Sequence, residues 1–271
     1  MWNPIKIYKL SKKIMARGRD EHHYDADDTQ ANDLIELYGE MIFPSILVTG
    51  QLLRRTEEGR NILYGLKDKS EGHQLNVYIP KITDGKYLDS LAPNTVGAHY
   101  KHLINQWSFE ELYNARFQSM PKSTFIEKRR ANFSRHIFLA HDFWHSIFRY
   151  DTSPLGEACI QALTHQFSKN TGPWYMSYLM ALREKNEIGT WEAFKVIREA
   201  HKLGKQAKRA FYTLNYDELL EMDIEDVRTK YNIGAPVEFY KYAKKYPSNF
   251  RFDNIHPEYN DTKITYTEAA L

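Results

Sequence analysis

One cysteine, Cys159, stands in 271 residues, which rules out a disulfide within the chain and fits a reducing compartment. Neither sign of charge is in surplus. The 37 basic and 35 acidic residues leave a net +2, whereas a nucleic-acid binder is expected to carry a marked basic excess. No apolar run nears the ~18 residues of a membrane-spanning helix; the longest, Met41 to Val48, is interrupted by Pro44 and Ser45. The basic start is not followed by a continuous apolar segment, so no secretory signal is expected. Strand-type alternation is scarce, with Val77 to Pro80 the clearest extended candidate. Internal repeats are absent, and so is a glycine-rich flavin or nicotinamide fingerprint. These absences leave a soluble chain long enough for one sizeable core.

What the sequence does contain is helical periodicity. Leu34, Leu37, Tyr38, Met41 and Ile42 recur at helical spacing until Pro44. Glu57 to Leu66, Asn94 to Phe109, Glu110 to Phe117 and Phe125 to Tyr150 predict further helices. Ser153-Pro154 predicts a helix start, a capping hydroxyl followed by proline in the first turn. That helix carries Leu155, Ala158, Cys159, Ala162 and Leu163 on one stripe. Gly172-Pro173 divides it from a helix over Trp174 to Leu182, and Thr190 caps another with Trp191, Phe194, Ile197 and Ala200. The expected fold is all-α, a single-domain helical bundle over 34–232. A basic arm and acidic linker precede it over 1–33, and an irregular C-terminal tail follows over 233–271.

Two stretches concentrate positive charge. Residues 1–19 hold Lys6, Lys9, Lys12, Lys13, Arg17 and Arg19 without an acid, interleaved with Trp2, Ile5, Tyr8, Leu10 and Ile14. Lys195, Arg198, Lys202, Lys205 and Arg209 follow a second helical stripe. Each reads either as a solvated helix face or as a contact surface for an anionic membrane.

The densest chemistry lies in His141-Asp142-Phe143-Trp144-His145 and, after eleven intervening residues, Glu157. Histidines four apart share a helix face, and Asp142, three before His145, reaches that face too. So short a link makes the two helices antiparallel neighbours. His145 then lies about one turn before the end of the first, and Glu157 about one turn into the second. At ~100° per residue, Glu157 falls opposite the stripe of Leu155, Ala158 and Ala162. Unpaired charge among apolar residues is costly, and a divalent cation is one remedy. Mixed imidazole and carboxylate donors favour zinc, iron or manganese over magnesium. A structural polar network is the other remedy, with Asp142 paired to Arg135 or Arg149 and Glu157 favoured by the helix dipole. His141-Asp142 also suits an HD-type phosphohydrolase with His99 or His102 upstream, although no distal aspartate stands out and Glu157 has no place in it.

His141-Asp142-x-x-His145, eleven residues, then Glu157 resembles the signature of the coenzyme Q (ubiquinone) biosynthesis protein four family. Glu57 to Leu63, Leu91 to Tyr100, Leu155 to Ala158 and Leu220 to Arg228 are similar to further segments of that family, in its order, across roughly 55–232. The resemblance implies an all-helical fold, a zinc-type site at His141, Asp142, His145 and Glu157, membrane association and a part in ubiquinone synthesis. The chain departs from the family in its acidic insert at 20–33, its tail after 233, and Gln161 to Phe167, which lacks the family's Lys-Trp-x-Glu character.

Two roles follow from the resemblance. In one, the four ligands are also catalytic, in a metal-dependent oxidative decarboxylase of a 4-hydroxy-3-polyprenylbenzoate-type substrate. In the other, the chain is a non-catalytic lipid-binding scaffold for the biosynthetic proteins. Both need an apolar, isoprenoid-sized pocket. Phe138, Phe143, Trp144, Ile147, Trp174, Tyr175, Tyr178 and Leu182 are its candidates, with ordinary core packing the alternative for each. Zinc is the expected metal, with iron, manganese and magnesium as alternatives. Expected partners are an isoprenoid or prenylated quinone precursor, other quinone-biosynthesis proteins, an anionic membrane surface and a second copy of the chain in a homodimer, but no nucleic acid. The expected location is the cytoplasm, peripheral on the inner membrane, or its matrix side in a mitochondrion.

Overall fold

Ser153 and Pro154 begin a helix, as their order predicts. Asp151 sets the turn: its carboxylate accepts from the Ser153 amide at 3.1 Å and from the Ser153 hydroxyl. Ser153 Oγ in turn accepts from the Gly156 amide at 3.1 Å. Proline is tolerated at this first position because its missing N–H would find no helical partner there. The computed structural model in which this turn sits describes residues 4–16, 80–104, 140–168, 171–208, 211 and 214–247.

Besides helical residues 80–83, the helices among the described residues are α1 (Pro4–Ala16), α2 (Gly85–Ser90), α3 (Val96–Ile104), α4 (140–148), α5 (Pro154–Ser168), α6 (Thr171–Ile188), α7 (Ala193–Gln206), α8 (Tyr216–Leu219), α9 (Ile224–Tyr231) and α10 (Val237–Lys245). Among the described residues there is no strand, only one antiparallel bridge between Thr95 and Asp223. The fold is all-α.

The α5 stripe reads as predicted, with Leu155, Ala158, Cys159, Ala162 and Leu163 all buried. Its small side chains let α6 and α7 pack against α5 and each other. From α7 come Val196, Ile197, Ala200 and Leu203, which share the same core. Each large apolar side chain taken out of water there contributes about 1.5–3 kcal/mol. The opposite face of α7 carries Lys195, Arg198, Lys202 and Lys205, all exposed.

Aromatic packing fixes α4. Phe143 stacks on Tyr100 of α3 at 4.4 Å and on Tyr216 of α8 at 4.9 Å. Trp144 donates through Nε1 to the Tyr216 hydroxyl at 2.6 Å, which itself donates to the Phe211 carbonyl at 2.8 Å. A buried indole N–H and phenol are thereby satisfied, which is why they sit in the core without cost. The start of α3 is stitched to the segment before α9. The amides of Val96 and Gly97 donate to the carbonyls of Met222 (3.0 Å) and Leu220 (2.9 Å), and the Ile224 amide donates to Asn94 (2.9 Å). A Cβ at Gly97 would collide with Leu91 and press on the Leu220 carbonyl, so this close approach needs glycine.

Three expectations are corrected. The tail from 233 is not irregular throughout, because Val237–Lys245 forms α10 against α7. Glu199 of α7 accepts from the amides of Glu238 (3.0 and 2.9 Å) and Phe239 (3.2 Å), supplying the N-terminal partners that Pro236 cannot. Gly172 and Pro173 lie inside the first turn of α6, where proline is allowed, and the helix continues to Ile188. Thr190 Oγ1 does accept from the Glu192 amide at 3.3 Å, but helix α7 begins only at Ala193, leaving Trp191 before it and 61% exposed. Expectations for 20–33, 34–79, 105–139 and 248–271 lie outside the described residues.

Candidate metal centre

Two helix ends and the turn between them build the site. His141 and His145 lie one turn apart on α4, and Glu157 lies in the first turn of α5. The Asp151–Ser153 cap places Glu157, whose own amide donates to the Ser153 carbonyl at 2.9 Å. Gly156 is indispensable to that turn, since a Cβ there would run into the Asp151 carbonyl and carboxylate.

His141 Nε2 is 3.0 Å from Glu157 Oε2 and 3.1 Å from His145 Nε2, and His145 Nε2 is 3.4 Å from Glu157 Oε1. One donor atom from each of His141, His145 and Glu157 falls within 4.8 Å of the others. The His145 ring is 1% exposed, whereas His141 and Glu157 are 21% and 22% exposed, so the site opens on their side.

The tautomer of His145 follows from its other nitrogen. Nδ1 is 3.1 Å from the Tyr150 carbonyl, which can only accept. In the neutral ring, Nδ1 therefore carries the hydrogen and Nε2 presents a lone pair to His141 and Glu157. A histidine held through one nitrogen by a carbonyl is the usual arrangement behind a metal-binding imidazole. Tyr150 holds His145 twice, because the Tyr150 amide also donates to the His145 carbonyl at 3.1 Å. This closes α4 in a left-handed ending with Arg149 at φ 62°, a conformation that costs a residue other than glycine about 1 kcal/mol.

Electrostatics agree with the geometry. Burial disfavours a charged His145, but the Glu157 carboxylate outweighs it and raises the His145 pKa. For Glu157, burial pushes the other way, and the two imidazoles overcome it to hold the carboxyl well below the usual carboxylate range. A charge pattern that draws a proton to this spot also draws a cation.

Of the four predicted ligands, the structure brings together His141, His145 and Glu157. Asp142 stands outside that converging group, although its charge adds to the raised His145 pKa. The predicted pocket residues are spread more widely. Phe143, Trp144 and Ile147 are fully buried in the core, Trp174 is 46% exposed, and Tyr175, Tyr178 and Leu182 of α6 are partly buried. Phe138 lies outside the described residues. Sequence reasoning gave no role to Tyr150, whose part is played by its backbone carbonyl and so leaves no mark in residue type.

Residues 21–237 match the family described as Coenzyme Q (ubiquinone) biosynthesis protein Coq4. The chain belongs to this family. A mitochondrial ubiquinone biosynthesis protein COQ4 homolog from Drosophila yakuba is 28% identical over 137 residues, 49% of this chain and 45% of that protein. The similarity thus spans under half the length of that relative. A solved structure described as a candidate ubiquinone biosynthesis protein, from Nostoc punctiforme PCC 73102, shares the fold at a TM-score of 0.58 and 11% identity, over 87% of this chain and 100% of that one. The Coq4 family is one of ubiquinone biosynthesis. Leu91 to Tyr100 and Leu220 to Arg228, distant in sequence, meet where α3 and the start of α9 are stitched together. Among the described residues of this Coq4 chain, no helix is long and apolar enough to cross a membrane.

Proposed function

We propose that the chain serves ubiquinone biosynthesis by holding a prenylated aromatic precursor beside a divalent cation, and that it exchanges the ring carboxyl for a hydroxyl. The observation that supports this reading is the convergence of His141, His145 and Glu157 within 4.8 Å in a Coq4-family chain. Two imidazoles and a carboxylate are donors suited to zinc and to ferrous iron, and Asp142 adds negative charge nearby. A bound cation would supply a Lewis acid to a carboxylate or phenolate oxygen. The chain's own part is to fix that place. Tyr150 orients His145, Glu157 stays ionised, and the opening beside His141 and Glu157 admits the ring. Tyr175, Tyr178 and Leu182 are the candidates for tail contact, since Phe143, Trp144 and Ile147 are occupied in the core. Exchange of carboxyl for hydroxyl is a two-electron oxidation: the carboxyl leaves as carbon dioxide, water supplies the hydroxyl, and dioxygen takes the two electrons and two protons to leave as hydrogen peroxide.

The test is incubation of metal-loaded protein with a short-tailed 4-hydroxy-3-prenylbenzoate under oxygen, followed by mass spectrometry. Loss of carbon dioxide with gain of one oxygen atom is the expected result, and it should vanish in His145→Ala. Stoichiometric binding of the prenylated compound without turnover would favour the scaffold instead.

We further propose contact with an anionic membrane surface. The exposed cations of α7 and the exposed Ile5 (67%) and Tyr8 (66%) of α1 motivate it. Co-sedimentation with vesicles rich in anionic lipid should be strong at low salt and fade at high salt. No binding at low salt would end the idea.

A further inference from the structure

The last carbonyls of α4 end among apolar residues and need donors. Tyr150 serves His145. The next two, Ser146 and Ile147, are served from another helix. Arg228 of α9, only 2% exposed, donates through Nη2 to the Ser146 carbonyl at 2.8 Å and through Nε to the Ile147 carbonyl at 3.0 Å. Its Nη1 reaches the Glu225 carboxylate. Glu225 in turn receives Arg149 Nη2 at 3.0 and 2.9 Å. One guanidinium and one carboxylate thus grip both the carbonyl end of α4 and the left-handed residue that turns the chain towards Tyr150.

We propose that Arg228 is a positioning residue for the metal centre. By fixing the end of α4 and the Arg149 turn, it sets the Tyr150 carbonyl where it holds the His145 ring with Nε2 towards Glu157 and His141. The inference rests on the metal reading above, but its first consequence does not need a metal. Arginine is suited to the task because its planar fork serves two carbonyls and a carboxylate at once, whereas an ammonium acts as a point charge. The positive charge also sits at the negative end of the α4 dipole. α9 itself is held in register by its own cap, with Asp223 accepting from the Glu225 amide at 2.8 Å, and by the stitching to α3.

The experiment compares wild type, Arg228→Lys and Arg228→Met, with His145→Asn used to assign the His145 ring signals. Nitrogen-15 NMR of the chelator-treated protein, recorded at a pH high enough to leave the His145 ring neutral, reads the tautomer. Wild type should show hydrogen on Nδ1, and both variants a mixture of tautomers, larger in Arg228→Met. Zinc titration of the same samples should show affinity falling by about tenfold to a hundredfold, as loss of a residue that orients a ligand usually brings. A folded Arg228→Lys protein with the wild-type ring spectrum and zinc affinity would overturn the proposal, even where Arg228→Met fails to fold. If wild type binds no zinc, the metal reading falls, and the ring spectra alone decide whether Arg228 positions His145.

Discussion

Replacing Glu157 with alanine should reduce affinity for zinc or ferrous iron by at least about a hundredfold, ~3 kcal/mol. Glu157 is the one charged donor among the three that converge, and each of its oxygens faces a different imidazole, at 3.0 and 3.4 Å. Without it, two neutral nitrogens would have to stabilise a divalent cation next to a ring that is 1% exposed, where an uncompensated charge is costly. Glu157→Gln should fall between, because it keeps an oxygen donor of the same reach but not the charge. Competitive titration of metal-free protein against a chelator measures both. Zinc should also raise the melting temperature of wild type and not of Glu157→Ala, since a cation bound only by the folded state stabilises it by mass action. Equal affinity in wild type and Glu157→Ala would remove the carboxylate from the site and leave the cluster as a polar network.

Metal-free protein should lose stability steeply between about pH 6.5 and pH 4. His99 on α3 and His201 on α7 are each pushed down to about 4 from an ordinary 6.5. Burial is the main cause for both, reinforced for His99 by the Arg228 charge and for His201 by His165. The folded pKa lies below the unfolded one, so within that window the unfolded chain takes up protons that the folded chain refuses. Stability is therefore complete above about pH 6.5 and drains away as pH falls towards 4. At about 1.4 kcal/mol per unit, the nearly buried His99 alone accounts for about 3 kcal/mol, and the half-buried His201 for less. His145 works in the opposite sense, since its raised pKa adds stability in acid that is lost as pH rises through it. Urea midpoints at pH 7 and pH 5 decide the matter. The drop should shrink in His99→Gln and again in the double variant with His201→Gln. An unchanged midpoint between the two pH values would show that the imidazoles are not held neutral.

Local rules made much of this legible in the sequence. Ser153-Pro154 marked the start of α5, and the angular rule put Glu157 off the buried stripe and level with His145. The α7 cations were legible for the same reason, as helical spacing converts directly into a face. What the sequence withheld depends on distant partners. Helix α10 looked like a tail because its start has no capping side chain of its own; Glu199, some forty residues earlier, supplies one. Arg228 lay in a recognised segment, but a guanidinium that bonds to carbonyls of residues 146 and 147 is indistinguishable in sequence from one facing water. Residue type makes Trp174 a pocket candidate and helical spacing puts Trp191 on an apolar stripe, but both stand at helix starts and are exposed.

The three converging side chains fall within residues 141–157, a span of only seventeen positions. Bringing the ends of so short a loop together costs about 2–3 kcal/mol of chain entropy, and lengthening it would add ~0.6 for each doubling. The hairpin of α4 and α5 is therefore the kind of element that forms early, as nearby contacts outpace distant ones. α9 arrives some seventy residues later along the chain. On the metal reading, a nascent polypeptide emerging from synthesis would meet a cation with these three side chains already neighbours and the Arg228 contacts not yet made, so that the order of the sequence becomes an order in time: capture first, and tightening afterwards.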